Sequence, residues 1–94
     1  MVASVMSRLL LRATVTGTGT NGVIHVGFRR WAVQLAIDFN CDCTAENTGD
    51  TVKLVITGRP IDVRVLLAKL RYGPPGSRVL GITIDKEELV HGME

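Results

Sequence analysis

The chain has 94 residues, which is the length of one domain and is too short for two. Hydrophobic residues make up 46% of it and aromatic residues only 4%, so its core must be built mainly from Val, Leu, Ile and Ala. The net charge is +2, which is too weakly basic to indicate nucleic acid as the partner.

The charge is unevenly distributed along the chain. Residues 1–37 contain four arginines and no acid, whereas residues 38–94 contain seven basic and nine acidic residues. A local excess of positive charge in the first part of the chain favours a small anionic ligand. No apolar run reaches the ~18 residues of a membrane-spanning helix, so we expect no membrane association.

The two cysteines, Cys41 and Cys43, are separated by a single residue. This spacing rarely closes a comfortable disulfide, and no His or Cys lies beside them at zinc-ligand spacing. We interpret both as small, buried hydrophobic residues. Free thiols are typical of a reducing compartment, which predicts a cytoplasmic location.

The first predicted elements are a strand and a helix. The β-branched and apolar residues of Ser7–Thr16 predict a strand with one apolar face. The glycine-rich segment 17–22 ends it, because glycine and asparagine permit turn conformations. From Phe28 to Asn40 the apolar residues recur at helical spacing, which predicts a helix. They are Phe28, Trp31, Ala32, Leu35, Ala36 and Phe39.

A hairpin, a second helix and a last strand follow. Residues 41–46 and 51–58 alternate between apolar and polar side chains, and the turn residues Asn47-Thr48-Gly49-Asp50 join them. Pro60 fits the first position of a helix, which Gly73 would end. Residues 77–85 predict the last strand, with Leu80, Ile82 and Ile84 on one face.

The predicted order is β-α-β-β-α-β. This split β-α-β order predicts an α+β ferredoxin-like sandwich, in which a four-stranded antiparallel sheet carries both helices on one face. We expect residues 1–94 to form a single domain, with residues 1–7 and 86–94 as loose or edge segments. The fold itself does not identify a function, since it hosts many.

The segment from Gly22 to Arg30 is the best candidate for a binding site, because it runs from a loop into the first turn of a helix. Backbone N–H groups in a first turn lack internal acceptors, and the helix dipole makes this end positive. With the guanidinium of Arg29, the segment suits a phosphate or a carboxylate. The alternative is a plain junction with a solvated pair of arginines, of which Arg30 would only steer anions.

Three stretches of the chain together resemble the acylphosphatase family. Residues 23–29, Val-Ile-His-Val-Gly-Phe-Arg, resemble the family's V-Q-G-V-G-F-R loop. Asn47 with residues 51–55 is similar to its N-x-x-D-G-x-V-x-V hairpin, and residues 70–79 are similar to the G-P-P-x-A-x-V segment at the end of its second helix. The resemblance covers about residues 10–85, in matching order.

The resemblance implies hydrolysis of acyl phosphates to a carboxylate and phosphate, without metal, cofactor or covalent intermediate. It implies that Arg29 binds the phosphate and that Asn47 positions the attacking water. The phosphate-binding loop would consist of Gly22, Val23, Ile24, His25, Val26, Gly27 and Phe28. The expected partner is a small acyl phosphate or inorganic phosphate, bound by a monomer that engages neither nucleic acid nor membrane.

The chain departs from the family pattern at three points. Ile24 stands where the family has glutamine, and His25 stands at its central glycine. The hairpin turn is one residue short, so an ungapped alignment places Glu46 at the asparagine position. The alternative function is therefore a non-catalytic ferredoxin-like anion- or protein-binding module with a degenerate phosphate loop. An RNA-binding module would need aromatic residues on its exposed sheet, and the predicted strands contain none.

Overall fold

The computed structural model describes residues 7–17, 27–75 and 79–91. It confirms the predicted order of elements, whose bounds are β1 Ser7–Gly17, α1 Phe28–Asp38, β2 Asp42–Thr48, β3 Thr51–Gly58, α2 Pro60–Leu70 and β4 Val79–His91. The strands form one antiparallel sheet in the order β2-β3-β1-β4. The predicted ferredoxin-like α+β architecture is therefore confirmed.

The core lies between one face of the sheet and the two helices. Alternate residues of β1 and β3 point to this face, as the period of two along a strand requires. Burial of each large aliphatic side chain contributes roughly 1.5–3 kcal/mol. The buried core residues are Leu9, Leu11, Ala13, Val15, Phe28, Ala32, Ala36, Cys41, Val52, Leu54, Ile56, Val63, Leu66 and Leu70. We call the opposite face of the sheet, which carries no helix, the outer face.

Both helices end slightly earlier than the sequence predicts. α1 stops at Asp38, because the backbone reverses at Asn40, whose φ of 60° is left-handed. α2 stops at Leu70, and Gly73 follows in a left-handed conformation, as predicted. Within the described ranges, no helix is long and apolar enough to cross a membrane.

β4 differs from its prediction in length and in the direction of its side chains. It continues past Asp85 to His91, paired with β1 at the edge of the sheet. The prediction that Leu80, Ile82 and Ile84 share one face is confirmed for Ile82 and Ile84, which pair with the core residues Val15 and Ala13, and is wrong for Leu80, which is 62% exposed. The cause is a shift in the β1–β4 register between Thr16 and Gly17, which leaves Leu80 without a partner and interrupts the alternation.

Candidate functional site

The start of α1 has the features of an anion-binding helix end. Gly27 precedes the helix in a left-handed conformation, with φ 73° and ψ 26°. Its carbonyl accepts the first helical hydrogen bond from the Trp31 N–H at 3.1 Å. In the part of the chain that the structure describes, no side chain caps this helix, and its first turn contains no acid. The N–H groups of the first turn therefore keep their capacity to bind a ligand.

Two arginines follow directly in this first turn. Arg29 and Arg30 are exposed, while their neighbours Phe28 and Ala32 are fully buried. The Phe28 ring contacts Trp31 with a centroid distance of 5.5 Å, which fixes the helix start on the core. Neither arginine forms an ion pair with another residue of the described part.

Asn47 lies near the end of β2, and not in the turn where the sequence analysis placed it. β2 extends through Thr48, so the hairpin turn consists of Gly49 and Asp50 alone. Asn47 therefore has the extended backbone of a strand residue, and within the described residues the non-glycine residue with positive φ is Asn40. Two more residue pairs form than the sequence predicts, Asn47 with Val52 and Thr48 with Thr51, because the turn has only two residues.

The register of the hairpin separates Asn47 from Glu46. Asn47 is paired with Val52, which is fully buried on the helix-bearing face. Glu46 is paired with Lys53, whose ammonium group donates to Thr14 on the outer face. Cross-strand partners point to the same side of a sheet. Asn47 therefore lies on the side where α1 packs, and Glu46 lies on the opposite side.

The topology brings Arg29 and Asn47 to the same end of the molecule. α1 passes into β2 through residues 39–41 and packs along β2, so the two elements run in opposite directions. The start of α1 therefore lies toward the end of β2. Of the predicted loop, Gly27 and Phe28 are placed at this helix start, while Gly22, Val23, Ile24, His25 and Val26 lie outside the described residues.

A hydroxyl contact at the hairpin was not singled out in the sequence. The Thr51 hydroxyl donates to the Thr48 carbonyl at 2.9 Å, directly across the turn. The signal that could have revealed it is a threonine on each side of a two-residue Gly-Asp turn. This hydrogen bond lies one residue pair from Asn47, so it affects how firmly the strand that carries Asn47 is held.

Away from the start of α1, the outer face carries a polar cluster in an open groove of about 450 Å³. Thr14 donates to Asp85 at 2.6 Å, and Lys53 donates to Thr14 at 2.8 Å. Lys53 also lies 3.9 Å from the Asp85 carboxylate. Because these groups satisfy one another, the cluster has the properties of a solvated sheet surface. The described strands carry no aromatic residue for stacking bases.

Both cysteines are free; Cys41 is buried as predicted, whereas Cys43 is only partly buried and packs against the core. Burial raises the pKa of Cys41, and burial raises the pKa of Cys43 to about 11. Both thiols are therefore protonated at neutral pH and are poor nucleophiles. Among residues 7–17, 27–75 and 79–91, no three His, Cys, Asp or Glu side chains are grouped for a metal ion.

Comparison with known sequences identifies the family of this chain. A family model described as acylphosphatase matches residues 12–93. An acylphosphatase of Syntrophotalea carbinolica is 38% identical over 75 residues, with 78% of this chain and 80% of the relative covered. An acylphosphatase of Bradyrhizobium diazoefficiens is 33% identical over 79 residues, with 83% and 76% covered.

The fold has a solved counterpart. The crystal structure of acylphosphatase from Bacillus subtilis matches with a TM-score of 0.76 and 25% sequence identity, covering 85% of this chain and 84% of that one. The family model spans nearly the whole chain, and both relatives exceed 30% identity over more than three quarters of their own length. This chain therefore belongs to the acylphosphatase family of hydrolases, which act on acyl phosphates.

Proposed function

We propose that this chain hydrolyses the carboxyl–phosphate bond of small acyl phosphates, with Arg29 and the loop amides holding the phosphoryl group and Asn47 positioning water. The observation that carries the proposal is the position of Arg29. It is exposed in the uncapped first turn of α1, at the end of the molecule where Asn47 lies on the helix-bearing side of β2.

The start of α1 supplies the electrostatic part of the mechanism. During phosphoryl transfer, negative charge is spread over the three equatorial oxygens of the phosphoryl group. The N–H groups of the first turn, the helix dipole and the Arg29 guanidinium all favour that charge. Because these groups are held by a helix whose first residue, Phe28, is buried, they need little reorganisation during the reaction.

Asn47 supplies the other part of the mechanism, which is the positioning of the attacking water. Its amide can accept a hydrogen bond from water through Oδ1 and donate one to a phosphoryl oxygen through Nδ2. An acyl phosphate has a good leaving group, so orientation of water without a strong base is sufficient. A carboxylate would repel the phosphate. The register supports this assignment, because it directs Glu46 to the other side of the sheet.

The substrate class in this proposal is a small acyl phosphate, and inorganic phosphate is the product that competes for the site. We propose that the chain acts without metal or cofactor, as the chemistry of the leaving group permits. We further propose a cytoplasmic monomer as the active form. The fact that both cysteines are free accords with that compartment.

The decisive experiment measures hydrolysis of benzoyl phosphate by the wild-type protein and by Arg29→Ala. We expect kcat/KM to fall by about 10²–10³-fold, because one preorganised charge-stabilising donor is worth this much. Arg12→Ala is the matched control, since Arg12 is an exposed arginine on the outer face. Equal loss in both variants, or no loss in Arg29→Ala, contradicts the proposal.

A second pair of variants tests the water-positioning residue. Asn47→Ala should lower kcat by about 100-fold with phosphate binding retained, because misplacement of a reactant costs this much. Glu46→Ala changes the adjacent residue on the opposite side of β2 and should leave kcat unchanged. If wild-type protein binds phosphate but never turns over benzoyl phosphate, the non-catalytic anion-binding module is the correct function.

A further inference from the structure

The tip of the β2–β3 hairpin is held differently from the rest of β2. Cys43 and Ala45 pack on the core, but the residues after Ala45 are exposed, including Asn47 and Thr48. Burial therefore fixes β2 only up to Ala45. Beyond that residue, the strand depends on its ladder with β3 and on the turn that joins them.

The turn itself is compact and is closed by a side chain. Gly49 has φ 63°, and Asp50 has no positive φ, which is the φ signature of a type II′ turn with glycine first. Across it, the Thr51 hydroxyl donates to the carbonyl of Thr48 at 2.9 Å. This bond joins the last pair of the ladder, Thr48 with Thr51, one pair beyond Asn47 with Val52.

We propose that Thr51 is a positioning residue for Asn47: its hydroxyl ties the hairpin tip in the register that presents the Asn47 amide to the phosphoryl group. The inference rests on the proposed function, since it assigns the support of a residue in that site. Thr51 itself faces the outer side with its partner Thr16 and contacts no substrate.

The register matters because of what lies next to Asn47. A slip of one residue between paired strands turns every side chain to the other face. At this tip, it would replace the Asn47 amide on the helix-bearing side with the Glu46 carboxylate. Fraying without a slip would leave the amide present but poorly oriented. Either change impairs attack by water, whereas phosphate held by α1 stays bound.

The inference predicts a selective effect on kcat. Thr51→Val removes the hydroxyl and keeps the shape, so we expect kcat for benzoyl phosphate to fall by about tenfold with KM unchanged. Thr51→Ser restores the hydroxyl and should bring kcat back to within about twofold of wild type. Thr57→Val is the matched control, because Thr57 lies on β3 near its other end, where it pairs with Asp42.

A second readout does not depend on turnover. Hydrogen exchange of the Thr48 backbone amide, which faces β3 in the pair with Thr51, should be about fivefold faster in Thr51→Val than in wild type, as expected for the loss of one exposed hydrogen bond. The Thr44 amide, further along β2, should keep its wild-type rate. Both readouts require that Thr51→Val shows the cooperative unfolding of a folded domain.

Three results would overturn the inference: unchanged kcat in Thr51→Val, a change in KM alone, or unchanged exchange at Thr48. Failure of the proposed function looks different, because Asn47→Ala would then retain wild-type kcat or the wild-type protein would have no activity. In that case, the exchange rates still decide whether the Thr51 hydroxyl holds the hairpin tip.

Discussion

α1 and α2 are both eleven residues long and pack on the same face of the sheet, yet their first turns carry opposite charges. α2 begins with Pro60 and has Asp62 in its first turn, which complements the positive end of the helix dipole. α1 begins after Gly27 with two arginines and no acid. Within the described residues, its start has no acidic side chain in the first turn to complement the helix dipole.

The start of α2 is also satisfied by its own neighbours. Arg59 Nε donates to the Asp62 carboxylate at 2.8 Å, and this hydrogen bond, together with the charge of Asp62, raises the pKa of Arg59. Arg29 and Arg30 have no such partner among the described residues. One fold therefore contains a helix start whose charges pair with each other and another whose charges, under the proposed function, bind a ligand. Four substitutions test this contrast, from the largest expected effect to the smallest.

Gly58→Ala should destabilise the protein most, by about 2 kcal/mol, because Gly58 is closely packed where β3 leads into α2. A Cβ at this residue would lie 2.8 Å from the Cys41 Sγ and 3.3 Å from Val63. Urea unfolding measures the loss. The double variant with Cys41→Ala makes room for the new methyl group, and it should lose less than the sum of the two single variants. Strict additivity would contradict the packing explanation.

Gly27→Ala should cost about 1 kcal/mol of unfolding free energy, because its φ of 73° is unfavourable for any residue with a Cβ. Among the described residues, no atom lies within 4 Å of the added Cβ, so we assign the cost to the backbone. The start of α1 should also shift, with a fall in benzoyl phosphate hydrolysis. A stability loss as large as that of Gly58→Ala would show that packing, too, fixes this start.

Arg30→Glu should have effects of opposite sign on stability and on activity. An acid in the first turn complements the helix dipole, so we expect the free energy of unfolding to rise by about 0.5–1 kcal/mol. The same charge repels the substrate, so KM for benzoyl phosphate should rise. Thermal unfolding at low salt and steady-state kinetics measure the two effects. A gain in both stability and activity would mean that this helix start binds no anion.

Asp62→Asn is the corresponding change in α2 and should have the smallest effect. Loss of the carboxylate at the start of this helix should lower the free energy of unfolding by about 0.5 kcal/mol. Hydrolysis of benzoyl phosphate should remain at the wild-type rate, because this charge complements the start of α2 and pairs with Arg59, outside the proposed site. A fall in activity without a fall in stability would show that the start of α2 also takes part in function.

Much of the fold follows from local sequence patterns. The alternation in residues 7–16 and 51–58 and the helical spacing from Phe28 identify the elements, because strand and helix periods place apolar residues on one side. The position of Arg29 in a first turn follows from the same spacing. The sequence analysis could not place the bulges of β4, since Leu80 and Ile82 differ only in how β4 pairs with β1.

The sequence by itself determined the order of elements, the composition of the core and the location of Arg29 at a helix start. Only the tertiary structure decided that Asn47 and Glu46 face opposite sides, and that Asn47 shares an end of the molecule with Arg29. The physical reason is that periodicity is a property of neighbouring residues, whereas strand register is set by a partner strand and a turn. In this protein, the two-residue turn between β2 and β3 and the hydrogen bond of the Thr51 hydroxyl support the register that the sequence pattern does not specify.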